Sequence, residues 1–235
     1  MLRMEVVTKT YDGRSRTVMG LRSVTLDIPK GDFLCVVGPS GCGKSTLLLI
    51  LGGMLSPTEG QVLLDGQSLY ALSSDKRASL RGKKIGFLFQ TFNLVPYLSA
   101  LENVQIPLVL AGLSDRSQKE RALTLLQQVG LGDRLDHKPS ELSVGQQQRV
   151  ALARMLANSP EIVLADEPTG NLDPDTSEQI VELLEEINHE GRTVVMVTHD
   201  PRFAVRAKRT LSLRTGSVVS EEHKSPAPSK RCCSH

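Results

Sequence analysis

Phe33-Leu34-Cys35-Val36-Val37-Gly38-Pro39-Ser40-Gly41-Cys42-Gly43-Lys44-Ser45-Thr46 carries the clearest statement of architecture in the chain. Its first five residues form an unbroken apolar run, the pattern of a strand buried on both faces. The run stops at Gly38, and from Lys44 the pattern turns helical and is expected to continue to residue 55, before the turn signal Ser56-Pro57-Thr58-Glu59-Gly60. The loop between strand and helix matches G-x-x-x-x-G-K-[ST] in the setting that motif requires. Its glycines let the backbone curl until the N–H groups face inward at phosphate oxygens, and the helix adds the positive end of its dipole. Lys44 is then placed to reach the β- and γ-phosphates, and the Ser45 hydroxyl to hold Mg²⁺. A nucleoside triphosphate is the implied ligand, bound by Gly38, Pro39, Ser40, Gly41, Cys42, Gly43, Lys44, Ser45 and Thr46. A helix N-terminus and a nearby lysine both favour a thiolate, so Cys42 is expected to react with alkylating reagents and to be protected by bound nucleotide.

Outward from this loop the chain alternates between strand and helix patterns. Val24, Leu26 and Ile28 alternate as a strand, and residues 61–64 and 84–89 read as two more. Residues 98–158 are mostly helical, with breaks expected at Pro107, Gly112, Gly130 and Pro139. A buried-type strand at 162–165, a helix at 177–190 and a strand at 193–198 follow. Strand–helix alternation on both sides of a helical block predicts an α/β protein with a mostly parallel sheet and a helical insertion. The apolar run Ile162-Val163-Leu164-Ala165 ends in Asp166-Glu167, which puts two carboxylates at the sheet edge where α/β proteins hold ligands. Asp166 is suited to bind Mg²⁺ together with Ser45, and Glu167 to take a proton from, or orient, an attacking water.

Composition bounds the function. Of 235 residues, 40% are hydrophobic and 23% charged, which excludes a largely disordered or fibrous chain. A net charge of +2 gives no electrostatic case for a nucleic-acid partner. Residues 201–235 carry 8 of the 28 basic and 2 of the 26 acidic side chains, so the preceding part is mildly acidic. The longest apolar run, residues 47–55, is far short of the roughly 20 residues needed to cross a bilayer and contains Gly52 and Gly53. The start, Met1-Leu2-Arg3-Met4-Glu5, lacks the apolar core of a signal peptide, and the four cysteines form no disulfide framework. Residues 221–235 are expected to be a disordered basic tail; Cys232, Cys233 and His235 do not fit zinc spacing, and a solvated segment near anionic lipid is the preferred reading.

Further along, Glu141-Leu142-Ser143-Val144-Gly145-Gln146-Gln147-Gln148-Arg149-Val150-Ala151-Leu152-Ala153-Arg154 resembles the signature motif of ABC-type ATPases, with Val144 in place of a glycine. Physically, Ser143 is a good N-cap for a helix running to about residue 158, and a helix N-terminus is an anion site. The family points Ser143 and Gly145 at a γ-phosphate, with Gln146 beside them. In the same resemblance Gln90 matches the glutamine loop that touches Mg²⁺ and the attacking water, and Gly170-Asn171-Leu172-Asp173 the aspartate loop that crosses to a partner subunit. His199 matches the switch histidine at the γ-phosphate and Tyr11 the aromatic residue that stacks on adenine. Glu167, His199 and Gln90 are thus the implied catalytic residues, and Ser45, Gln90 and Asp166 the implied Mg²⁺ ligands.

The resemblance implies a P-loop α/β core with an N-terminal antiparallel β part, one ATPase domain over residues 1–220, and a helical subdomain at about 91–158. It implies ATP and Mg²⁺ as ligands and ATP hydrolysis as the activity. The family clamps each ATP between the phosphate loop of one cassette and the signature helix of another. A chain with one of each motif is therefore expected to act as a head-to-tail dimer with itself or a paralogue. With no membrane-spanning run, it is expected to sit at the cytoplasmic face of the cell membrane on a separate transmembrane permease. Residues 164–173 and 92–104 look like the branch serving lipoprotein release and macrolide efflux, with the cell-division ATPases, which act as mechanical switches, as close relatives. The apolar segment with Phe92, Leu94, Val95, Pro96 and Tyr97 suits either a contact with the membrane partner or packing on the chain's own helices.

Overall fold

A computed structural model describes residues 1–13 and 17–224. The chain opens with β1 (Leu2–Asp12), β2 (Thr17–Ile28) and β3 (Phe33–Val37), followed by α1 (Lys44–Leu51), β4 (Glu59–Leu64), β5 (Gln67–Ser68), α2 (Ser74–Lys84) and β6 (Ile85–Leu88). Then come α3 (Ala100–Leu110), α4 (Asp115–Gln128), a 3₁₀ turn at Pro139–Glu141 and α5 (Val144–Leu156). The chain returns through β7 (Ile162–Asp166), α6 (Pro174–His189), β8 (Thr193–Thr198), α7 (Pro201–Ala204), β9 (Arg209–Arg214) and β10 (Ser217–His223).

The strands form two sheets. One is antiparallel, in the order β2-β1-β4-β5; the other runs β10-β9-β3-β8-β7-β6, parallel throughout except for the edge pair β9–β10. The unbroken apolar runs of β3, β7 and β8 follow from burial on both faces. Leu34, Val36, Ile162, Leu164, Val195 and Val197 point into one core, shared with α1 and the antiparallel sheet. Their neighbours Cys35, Val163, Ala165, Val194 and Met196 point into a second core under α3 to α6.

Several boundaries differ from the sequence expectation. Helix α1 stops at Leu51 rather than residue 55, because Gly53 takes a left-handed conformation (φ 68°) that closes the helix. Pro107 lies inside α3 and does not break it; Ala111 N–H still bonds to the Pro107 carbonyl at 3.0 Å. Helix α2 has no buried residue and therefore no apolar periodicity to betray it. It is held by its Ser73 cap and by Arg81, Lys83 and Lys84 at the negative end of its dipole. Residues 221–223, expected to belong to a disordered tail, are instead the end of β10, where Glu221 ion-pairs with Arg209, which also bonds to Asp32. Cys232, Cys233 and His235 lie outside the described residues. Of the apolar segment, Phe92 and Leu94 pack on the chain's own core, while Tyr97 is 73% exposed.

Leu164 is fully buried on an interior strand. Truncation there removes the side chain and leaves a cavity, so Leu164→Ala is expected to cost about 2–5 kcal/mol in urea unfolding, whereas Val219→Ala on the exposed edge strand should change stability by under about 0.5 kcal/mol.

Candidate functional site

The phosphate loop spans residues 38–43, between the end of β3 and the start of α1. Gly43 has φ 107°, and a Cβ there would stand 2.1 Å from the Gly20 carbonyl oxygen, so only glycine fits. Lys44 is buried, and its ammonium donates to the carbonyls of Gly38 (2.9 Å) and Pro39 (3.2 Å). Its Nζ also lies 3.8 Å from Glu167 Oε1. The Ser45 hydroxyl donates to Asp166 Oδ1 at 3.1 Å, and Thr46 Oγ1 is 3.0 Å from the Tyr11 hydroxyl. Thus the loop, the start of α1 and the end of β7 form one polar cluster.

Asp166 ends β7, and burial pushes its carboxyl above the usual carboxylate range; the Ser45 hydrogen bond pulls it down, and the neighbouring Glu167 charge raises it again. Glu167 has a left-handed backbone (φ 46°), unusual for a residue with a side chain. Its N–H is anchored on the Val197 carbonyl of β8 at 3.0 Å. Its carboxylate lies 2.8 Å from His199 Nδ1 and accepts the His199 N–H at 3.3 Å. Gln90 follows β6 and is held from behind, where Asn171 Nδ2 donates to its carbonyl at 3.2 Å.

These groups surround a cleft of ≈ 520 Å³ bounded by Tyr11, Lys44, Ser45, Gln90, Glu167 and His199, with Ser40, Gly41, Gly43 and Thr46 contributing the loop side. Val18, Met19 and Gly20 of β2 complete the wall beside Tyr11. Sequence reasoning misses these three, because nothing local marks an exposed strand end as a cleft wall.

Cys42 corrects the sequence expectation. It is only 4% exposed, packed in the core between the sheets, so an alkylating reagent has no access to its thiol in the folded chain. The deeper Cys35 is pushed up to about 12 by burial and, less, by the Glu167 charge, and is inert as a nucleophile.

Ser143, Gly145, Gln146 and Asp173 do not border this cleft. They form a second surface where α5 and α6 begin. Ser143 caps α5 reciprocally with Gln146: its Oγ accepts the Gln146 N–H (3.2 Å) and its N–H donates to Gln146 Oε1 (2.9 Å). Asp173 caps α6, accepting from the Thr176 N–H (3.0 Å) and hydroxyl (2.6 Å), and these bonds hold its carboxyl below the usual range. At the other end of α5, Arg154 donates to the carbonyls of Phe92 and Asn93, both at 2.6 Å. That contact spans 61 residues and has no counterpart in the local pattern.

Residues 21–170 match the family model described as ABC transporter. A macrolide export ATP-binding/permease protein, MacB, of Brucella melitensis is 45% identical over 95% of this chain, but the chain spans only 35% of that protein's length. An ABC transporter ATP-binding protein of uncharacterized role, MJ0796 of Methanocaldococcus jannaschii, is 47% identical, with 94% of this chain and 97% of that one covered. The solved dimeric structure of MJ0796 in a post-hydrolysis state, bound to ADP and Pi, superimposes with a TM-score of 0.90 at 45% identity, covering 95% of this chain and 98% of the other.

The raised Asp166 carboxyl has a consequence for stability. In the unfolded chain an aspartate loses its proton near about pH 3.9; in the fold Asp166 keeps it to higher pH. Ionised Asp166 therefore weakens the ligand-free fold above that window, and the penalty disappears as pH falls below it. Asp166→Asn is expected to raise the urea midpoint of the nucleotide-free chain at pH 7, with the gain shrinking toward zero near about pH 4.

Proposed function

The chain belongs to the ABC transporter family, and on that basis we propose that it is the ATP-binding, ATP-hydrolysing subunit of a membrane complex that exports a solute or extracts lipoprotein. The observation that carries this reading is the convergence of Lys44, Ser45 and the Glu167–His199 pair on one cleft behind a phosphate loop, with Asp166 bonded to Ser45 beside it. Phosphates of ATP would lie against the loop amides and Lys44. The base would lie over Tyr11, whose ring is fixed by the bond to Thr46.

Within this reading Glu167 is the group that accepts a proton from water or aligns it. Lys44 lies on one side of its carboxylate and the His199 ring nitrogen on the other. His199 holds that carboxylate through side chain and backbone together, which fixes its direction toward the cleft. Gln90 also borders the cleft, just after β6, which lies on the other side of β7 from the β8 strand that leads to His199. Ser45 and Asp166 offer a hydroxyl and a desolvated carboxylate, oxygen ligands of the kind Mg²⁺ prefers, and that ion would neutralise charge on the β- and γ-phosphates when bound.

Because Ser143, Gly145 and Asp173 stand outside the cleft, one chain holds two half-sites. A head-to-tail dimer, with itself or a paralogue, brings the signature surface of one copy to the nucleotide of the other; the dimeric state of the MJ0796 structure supports this arrangement. Among the described residues no helix is long and apolar enough to cross a membrane. In this reading the transport path belongs to a permease. MacB relatives carry a permease in their name and are about three times as long. Export stands ahead of cell-division signalling because the relatives named by activity are macrolide exporters. The working place is the cytoplasmic face of the membrane, peripheral and attached to that partner.

An ATP-turnover assay tests the assignment. Glu167→Gln keeps the size and removes the base, so it is expected to bind ATP with little change while turnover falls about 100-fold or more. Lys44→Ala is expected to weaken ATP binding itself, by about tenfold or more, through loss of a charge-assisted contact. Near-normal hydrolysis in both variants contradicts the assignment.

The composite site has its own test. Lys44→Ala chains and Gly145→Asp chains are each expected to be inactive alone. In a mixed dimer, the intact phosphate loop of one faces the intact signature surface of the other, so one site is whole. Single-turnover cleavage of one ATP per mixed dimer is the expected result. No recovery in verified mixed dimers contradicts the head-to-tail arrangement.

A further inference from the structure

Gly145 is a glycine where helix physics asks for something else. It lies in the first turn of α5 with ordinary negative φ, and there alanine is the better helix former. Space explains it. A Cβ on Gly145 would stand 2.7 Å from Thr176 Cγ2, closer than such atoms approach, and 3.3 Å from its Oγ1, a tight contact, with its Cβ at an ordinary 3.6 Å.

Thr176 cannot turn its methyl away at no cost. Its hydroxyl donates to Asp173 Oδ2 at 2.6 Å and its N–H to Oδ1 at 3.0 Å, so the N-cap of α6 fixes the threonine rotamer. With the hydroxyl committed, the methyl faces Gly145. One turn further along both helices, the Arg149 guanidinium donates to Gln179 Oε1, while its other nitrogen donates to the Val129 carbonyl at 3.3 Å. Gly145/Thr176 and Arg149/Gln179 are therefore successive rungs joining α5 to α6.

We propose that Thr176 is a positioning residue: locked by Asp173, its methyl seats Gly145 and sets the start of α5, so that Ser143 and the loop carrying Asp173 move as one unit. This rests on the reading that the start of α5 meets a nucleotide held by a second copy. Thr176 touches no reacting atom. Its effect on turnover passes through the distance between α5 and α6, and Gly145 is required by Thr176 rather than by the nucleotide alone.

The test is a double-mutant cycle on the full chain: Gly145→Ala, Thr176→Ser and the two combined. Serine keeps the hydroxyl for Asp173 and removes the methyl. In urea unfolding of the nucleotide-free protein, Gly145→Ala is expected to lower the midpoint in the wild-type background and to raise it in the Thr176→Ser background, where helix propensity alone remains. In ATP turnover at saturating ATP, Gly145→Ala is expected to lose about tenfold or more in the wild-type background but less than about threefold in the Thr176→Ser background. The same sign of the stability change in both backgrounds overturns the packing claim. A sign reversal with equal turnover loss in both backgrounds overturns the positioning claim and leaves Gly145 answering to the nucleotide. Wild-type protein without turnover overturns the proposed function instead, and the unfolding cycle still decides the packing.

Discussion

A buried cation faces two carboxylates at the edge of a sheet, and the surrounding fold is organised to keep it there. Lys44 is buried under the phosphate loop, and its ammonium donates to the Gly38 and Pro39 carbonyls and lies, at longer range, near Glu167. Asp166 and Glu167 in turn sit side by side at the end of β7, where the Glu167 charge adds to the cost of ionising buried Asp166. That cluster exists only because β3 and β7 end at the same edge with β8 between them. The apolar runs of those strands, buried on both faces, fix that alignment. Core packing and site electrostatics are thus a single arrangement: the hydrophobic registers bring the charges together, and the charges need one another to stay.

Glu167 shows how local strain is held in place. A left-handed backbone at a residue with a side chain costs about 1–3 kcal/mol and persists only where neighbours over-determine it. Here the N–H is tied to β8 through Val197, and the carboxylate is tied to both nitrogens of His199 that face it, backbone and ring. The conformation turns the side chain away from the strand direction and into the cleft. A glutamate that continued the strand would alternate with Asp166 and point toward a core instead.

Two surfaces share one frame. The cleft is built on strand ends of the parallel sheet; the signature surface is built on the first turns of α5 and α6. Side chains with long reach connect them: Arg154, at the far end of α5, grips the carbonyls of Phe92 and Asn93 just beyond Gln90. Burial lowers the pKa of that guanidinium, and carbonyl dipoles rather than a counter-ion hold it. Phe92 and Asn93 are themselves left-handed, so the segment after Gln90 follows a path that Arg154 secures.

The parallel α/β core, the phosphate loop with its lysine and serine, the Asp166-Glu167 pair and the Ser143 cap are all legible in the amino-acid order, because each depends on residues adjacent in the chain. Apolar runs declare strands, glycine spacing declares the loop, and a serine three residues before a glutamine declares a capping box. Gln90, Asp173, His199 and Tyr11 are legible only through resemblance, since a single residue at a strand end has no local signature. The remaining features belong to the folded chain. Folding buries the Cys42 thiol that its neighbours in sequence would have activated, carries α3 through Pro107, and forms α2 without an apolar face. It separates Ser143, Gly145 and Asp173 from the cleft and sets Thr176 against Gly145. Each of these depends on what lies across space from a residue, and local pattern carries no information about partners that the chain brings near only by folding.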